Sequence, residues 1–147
     1  MDAVVSWVHG ATFSGVGSGT GQRISIGARS DDGAPAEGAS PMELLLMATA
    51  GCTALDVMAI LKKKRQDVTA FEINMHGTRA EEHPKVFTHI TMEYVVTGHN
   101  IDPDAVKRAI DLSLEKYCSA HAMMSKAATI EHTFKIIAAP EVTSQTS

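Results

Sequence analysis

At 147 residues, 44% of them hydrophobic and 20% charged, the chain has the size and composition of one globular domain able to bury a core. A formal net charge of −4 argues against a general nucleic-acid binder, which presents an excess of Lys and Arg. Two cysteines exclude a disulfide scaffold. The opening Met1-Asp2-Ala3-Val4 lacks the charged-then-apolar layout of a signal peptide, so a cytoplasmic location with reduced thiols is expected.

The N-terminal third reads as short strands. Val4, Val5, Trp7 and Val8 form an apolar run, and Ile24 and Ile26 alternate with Arg23 and Ser25 at the period of a half-buried strand. Gly15 to Gly21 holds four glycines and is expected as a turn or mobile loop, and Ser30 to Ala39, rich in Asp, Gly, Ala and Pro, as a second loop.

Ser40-Pro41-Met42-Glu43 is a helix start: Ser40 caps, Pro41 suits the first helical position, and Glu43 reaches back to the Ser40 amide. From Met42 to Leu61 the chain is almost continuously apolar, and about 20 apolar residues suffice to cross a bilayer. Glu43 and Asp56 inside the run, and strand-like segments on both sides, favour instead the core helix of a small domain, with no membrane partner. The basic run Lys62 to Arg65 then sits where cations favour a helix C-terminus.

Val68 to Gly77 and Val86 to Thr97 alternate as two antiparallel strands, joined by the charged stretch Thr78 to Lys85. Asp102-Pro103-Asp104 opens a second helix whose buried stripe is expected at Val106, Ile110, Leu114 and Tyr117. A short helix over Ala120 to Lys126 and a strand over Thr129 to Ile137 complete the order. The sum is α+β: a single domain over 1–139 and a disordered tail over 140–147.

Cys52 lies inside the apolar helix, where a cysteine is commonly a small inert hydrophobe. Cys118 follows the second helix, and nothing in the spacing requires the two thiols to meet. Ser40 to Val57, Ser-Pro-Met-Glu-Leu-Leu-Leu-Met-Ala-Thr-Ala-Gly-Cys-Thr-Ala-Leu-Asp-Val, resembles the central-helix motif of the osmotically inducible protein C and organic hydroperoxide resistance (OsmC/Ohr) family. Tyr117-Cys118-Ser119-Ala120-His121 resembles its second motif, at the expected distance, and the order of elements agrees over nearly the whole chain.

The resemblance implies the OsmC-like fold: N-terminal strands, a long buried central helix, antiparallel strands, a second helix and a C-terminal strand. It implies an intertwined homodimer with active sites at the subunit interface. It also implies a stress-defence peroxidase in which Cys52 attacks an organic hydroperoxide and becomes a sulfenic acid, and Cys118 condenses with it to a disulfide. A dithiol reductant, lipoyl-type in the better-known members, reopens that bond, and no metal or organic cofactor is required.

A thiol with a pKa of about 8.5 is mostly protonated at neutral pH, and apolar surroundings raise it further, so a cation must assist the nucleophile. The family uses an arginine from an N-terminal loop, held by a glutamate. Arg23 and Arg29 lie in the appropriate region, and Glu43 is the candidate glutamate. Here the chain departs from the pattern: Met42 occupies the glutamate position, and Glu43, one residue later, is turned about 100° around the helix. Ser119 also replaces the proline that usually follows the second cysteine.

Other residues admit quieter readings. Cys118 and His121 are spaced like two zinc ligands, with Cys52 as a third, but no tight second cluster accompanies them, and no metal is expected. His121 either hydrogen-bonds near the thiols or sits exposed. Asp56, one turn beyond Cys52, would disfavour a thiolate and reads as the partner of a buried donor or as an interface contact. The alternative to a peroxidase is a non-catalytic dimer that binds a small hydrophobic molecule or senses redox state at the same interface. The blandest reading makes both thiols core residues.

Overall fold

The computed structural model describes residues 1–30 and 33–142. It is α+β, as the order of elements implied, and forms two compact units, Met1–Leu45 and the chain from Leu46 onward. The first unit holds β1 (Ala3–His9), β2 (Thr12–Gly17) and β3 (Arg23–Gly27) in an antiparallel meander. Gly10, at φ +50°, supplies the left-handed turn between β1 and β2.

The expected loop at Gly15 to Gly21 is corrected here, since Gly15 to Gly17 belong to β2. Gly15 pairs with Ile24, and a Cβ on it would stand 3.2 Å from the side chains of Ile24 and Ile26. The glycine therefore makes room for isoleucines from the next strand rather than a bend. In the loop after β3, an isolated bridge joins Ile26 to Ala39, and the Gly27 amide donates to the Ala39 carbonyl at 3.1 Å. Two residues of that loop, 31 and 32, lie outside the described residues.

Helix α1 (Pro41–Lys63) starts as its sequence dictates. The Ser40 amide donates to Glu43 Oε2 at 2.8 Å, and the Glu43 amide donates to Ser40 Oγ at 3.2 Å. Lys62 and Lys63 occupy its last turn, and Arg65, at φ +56°, ends it in the left-handed conformation while the Gln66 amide donates to the Leu61 carbonyl. Its burial is narrower than that of the expected long buried helix. One stripe at four-residue spacing, Thr49, Thr53, Val57 and Leu61, is buried, while Leu45, Met47 and Leu55 are exposed. Among the described residues, α1 is the one helix long and apolar enough to cross a membrane. Its buried stripe and hydrogen bonding fit the core-helix reading.

In the second unit β4 (Asp67–Arg79) pairs antiparallel with β5 (Phe87–His99), and β5 pairs parallel with β6 (Thr129–Ala138). A parallel pair needs a long crossover. Here it consists of α2 (Pro103–Leu112), a π-helical turn (Ser113–Tyr117) and α3 (Ser119–Met124). The central strand β5 carries the core: Ile90, Met92, Tyr94 and Val96 are fully buried, together with Val57 and Leu61 of α1 and Val106 and Ile110 of α2.

Asp102 caps α2 by accepting from the Asp104 amide at 2.9 Å. The expected stripe holds at Val106 and Ile110 and then fails, with Leu114 half-buried and Tyr117 51% exposed. The π-turn inserts an extra residue per turn and shifts the phase that a 3.6-residue period assumes. Of the tail expected from 140 onward, residues 140–142 are in neither helix nor strand, and 143–147 lie outside the described residues.

Candidate active site

Cys52 and Asp56 stand one turn apart on α1, and Cys118 stands where the π-turn ends and α3 begins. Both sulfurs and a carboxylate oxygen of Asp56 lie within 4.8 Å of one another, and both thiols are free. The fold thus brings together the two cysteines that spacing alone left apart. Cys52 is half-buried, whereas Cys118 is 2% exposed.

Cys118 is fixed from both directions along the chain. Its amide donates to the Ser113 carbonyl, five residues back, at 2.7 Å, which is the bond that closes the π-turn. Its sulfur accepts from the His121 amide at 3.3 Å and so caps α3. Burial pushes the Cys118 thiol up to about 11; the His121 N–H works against that shift, and the Cys52 thiol and the Asp56 charge add to it.

Asp56 terminates a buried chain of hydroxyls that the sequence did not disclose. Ser113 Oγ donates to Asp56 Oδ2 at 2.9 Å, Thr53 Oγ1 is 2.8 Å from Ser113 Oγ, and the Tyr94 hydroxyl is 3.0 Å from Thr53 Oγ1. A carboxylate only accepts, and each hydroxyl has one proton, so the chain runs in one direction: Tyr94 to Thr53 to Ser113 to Asp56. Burial holds the Tyr94 phenol up at about 12, with the Thr53 hydrogen bond opposing and the Cys118 charge reinforcing the shift. The buried donor anticipated for Asp56 is Ser113. The available signals were a Thr–x₃–Thr repeat on an apolar helix and a serine interrupting a helical pattern.

His121 does not join the sulfur cluster through its ring. Its Nδ1 is buried without a hydrogen-bond partner among the described residues, and burial, aided by the neighbouring His132 and opposed by a backbone bond to Leu114, holds its pKa below the ordinary value. The Cys52–Cys118–His121 grouping that the spacing raised is not formed; the group beside the two sulfurs is Asp56.

The remaining candidates lie in the first unit. Glu43 is engaged in the α1 capping box, and those hydrogen bonds from Ser40 hold its carboxyl below the usual range. Arg23 Nη1 donates to Ser14 Oγ, and Arg29 is exposed after β3.

Fold and site together define a class. A family model described as OsmC-like protein matches residues 32–133, and the chain belongs to that family. It is 48% identical over 139 residues to Protein YhfA of Escherichia coli K12, covering 95% of this chain and all of that one. A crystal structure of a hypothetical protein from Aquifex aeolicus VF5 is 33% identical and superposes with a TM-score of 0.83 over 95% of this chain and 97% of that one. The organic hydroperoxide resistance protein OhrB of Bacillus subtilis, at 14% identity and a TM-score of 0.61 over 92% and 98% of the two chains, shares the fold.

Proposed function

We propose that this protein is a thiol-dependent peroxidase of oxidative-stress defence that reduces organic hydroperoxides, with Cys52 as nucleophile and Cys118 as resolving thiol. The observation that carries this reading is the approach of both sulfurs within 4.8 Å inside one chain. Membership of the OsmC-like family supports it. The Cys52 thiolate attacks the O–O bond, giving a sulfenic acid and, after proton uptake, an alcohol. The Cys118 thiol displaces hydroxide from that sulfur, giving a disulfide and water. A dithiol, lipoyl-type by analogy with the family, takes the oxidising equivalents by exchange. Burial and the high pKa of Cys118 suit it to the second step rather than the first.

We assign the cation that the first step needs to Arg23 or Arg29, with Glu43 as its partner carboxylate. The functional unit is a homodimer in the cytoplasm. Exposed Met47, Leu55 and Met58 on α1, and Val4, Val5 and Trp7 on β1, favour a second copy as their cover. The same exposed methionines favour the second reading, a dimer that binds a small hydrophobic molecule without turning it over.

Stopped-flow reaction of the reduced protein with cumene hydroperoxide, and separately with hydrogen peroxide, tests the proposal. The expected result is loss of two thiols per chain, faster with the organic peroxide. Cys118→Ser should stop at a trappable sulfenic acid, and Cys52→Ser should leave the peroxide untouched. Thiols that survive excess peroxide would leave the binding reading in its place.

A further inference from the structure

We propose that Asp56 is the proton acceptor for Cys118 when that thiol closes the disulfide on Cys52. The inference rests on reading the two cysteines as a redox pair, and it adds a residue which that reading does not need.

The geometry assigns the role. An oxygen of Asp56 lies within 4.8 Å of both sulfurs, a span that one water molecule bridges for proton transfer. Ser113 couples the partners: its backbone carbonyl holds the Cys118 amide and its hydroxyl holds Asp56 Oδ2. The carboxylate and the thiol that it serves therefore share one anchor. Behind Ser113, Thr53 and Tyr94 complete a hydroxyl chain aimed at the carboxylate, which orients it through Oδ2. A carboxylate placed against two thiols only as a charge would disfavour every thiolate formed there. A base accounts for its presence.

In the condensation the Cys118 S–H bond breaks and its proton passes to Asp56. The sulfur's electron pair attacks the Cys52 sulfur, and the S–O bond of the sulfenic acid breaks. The departing hydroxide takes the proton from Asp56, so one thiol and one sulfenic acid give one disulfide and one water, and Asp56 returns to its initial state. The raised pKa of Cys118 makes unassisted thiolate scarce at neutral pH, which is the condition under which a base matters.

The titratable groups facing Cys118 are Cys52 and Asp56 from α1, Tyr94 from β5, and His121 on α3 with His132 of β6 beside it. Burial holds Tyr94 up at about 12, so it keeps its proton at neutral pH, and the His121 ring stands outside the cluster of Cys52, Cys118 and Asp56, which leaves Asp56 as the acceptor beside the Cys118 sulfur.

The resolving step can be isolated without peroxide. With 5,5′-dithiobis(2-nitrobenzoic acid), attack by Cys52 releases one thionitrobenzoate. Cys118 then displaces the second in a unimolecular step that is independent of reagent concentration. A base and a bystander charge predict opposite signs for Asp56→Asn: losing a repelling charge raises the Cys118 thiolate fraction and speeds closure, whereas losing the base slows it. We expect the second release to slow by about ten-fold or more at pH 7. The deficit should shrink as pH rises toward the Cys118 titration, and Asp56→Glu should restore both rate and profile.

Closure in Asp56→Asn as fast as wild type, or faster, would overturn the assignment. So would an Asp56→Glu variant as slow as Asp56→Asn, which would make the position a packing contact, or a wild type that never releases the second equivalent. Thiols that exchange with this reagent yet survive cumene hydroperoxide would instead remove the peroxidase reading and leave the role of Asp56 standing.

Discussion

In the N-terminal sheet, Val4, Val5, Trp7 and Val8 of β1 stand between 52% and 68% exposed, whereas β5 of the second sheet holds Ile90, Met92, Tyr94 and Val96 at 0–1%. Both strands are apolar and built from residues that favour a pleated surface. The difference lies in what stands against them. β5 is flanked by β4 and β6, and the buried Thr53–Tyr94 hydrogen bond ties it to α1. Cys52 and Cys118 are set beside that tie. A contiguous apolar run facing solvent marks a surface that another molecule covers. The second unit thus builds the scaffold of the site, while the apolar run of β1 stays exposed on the single chain.

This contrast can be broken by mutation. Ile90→Ala should lower stability by about 2–5 kcal/mol in urea or thermal unfolding, because a fully buried side chain is removed from a packed core. A loss below about 1 kcal/mol would mean that β5 is not the core it resembles.

An intermediate effect concerns pH. Cys118 titrates at about 11 in the folded state, against an ordinary 9.0, so between those values the folded chain keeps a proton that the unfolded chain has lost. Fewer protons on the unfolded state make stability fall as pH rises, so this contribution is flat below pH 9 and is lost toward pH 11. Cys118→Ser should flatten that part of the profile, while the Tyr94 loss, starting near pH 10, persists. Equal slopes for variant and wild type would contradict the buried thiol.

The smallest effect is the sharpest test of the contrast. Val5→Ser should change the stability of an isolated chain by no more than about 0.5 kcal/mol. If a second copy covers β1, the loss becomes larger and depends on protein concentration.

The local signals in the sequence were sufficient where a few neighbouring residues decide the outcome. Ser40 and Glu43 announced α1, Asp102-Pro103-Asp104 announced α2, and the alternation through Phe71, Ile73 and Met75 marked β4. Gly15 misled because the reason for its glycine, Ile24 and Ile26, lies on another strand. The π-turn was illegible because its helical pattern continues through Ser113, and the bond that shifts the phase spans five residues. The chain from Tyr94 through Thr53 to Ser113 joins residues 41 and 60 positions apart, a separation that no periodicity reaches. Cys52 and Cys118 were recognisable by motif, yet their proximity is a product of the crossover that brings the Cys118 sulfur back to Cys52 and Asp56 of α1.

The central claim is that these two thiols act as one redox pair, and peptide mapping by mass spectrometry after one equivalent of cumene hydroperoxide tests it most directly. The account predicts a Cys52–Cys118 disulfide within a single chain and no free thiol. Over-oxidised Cys52 beside an intact Cys118 thiol, or a disulfide that joins two chains, would contradict it.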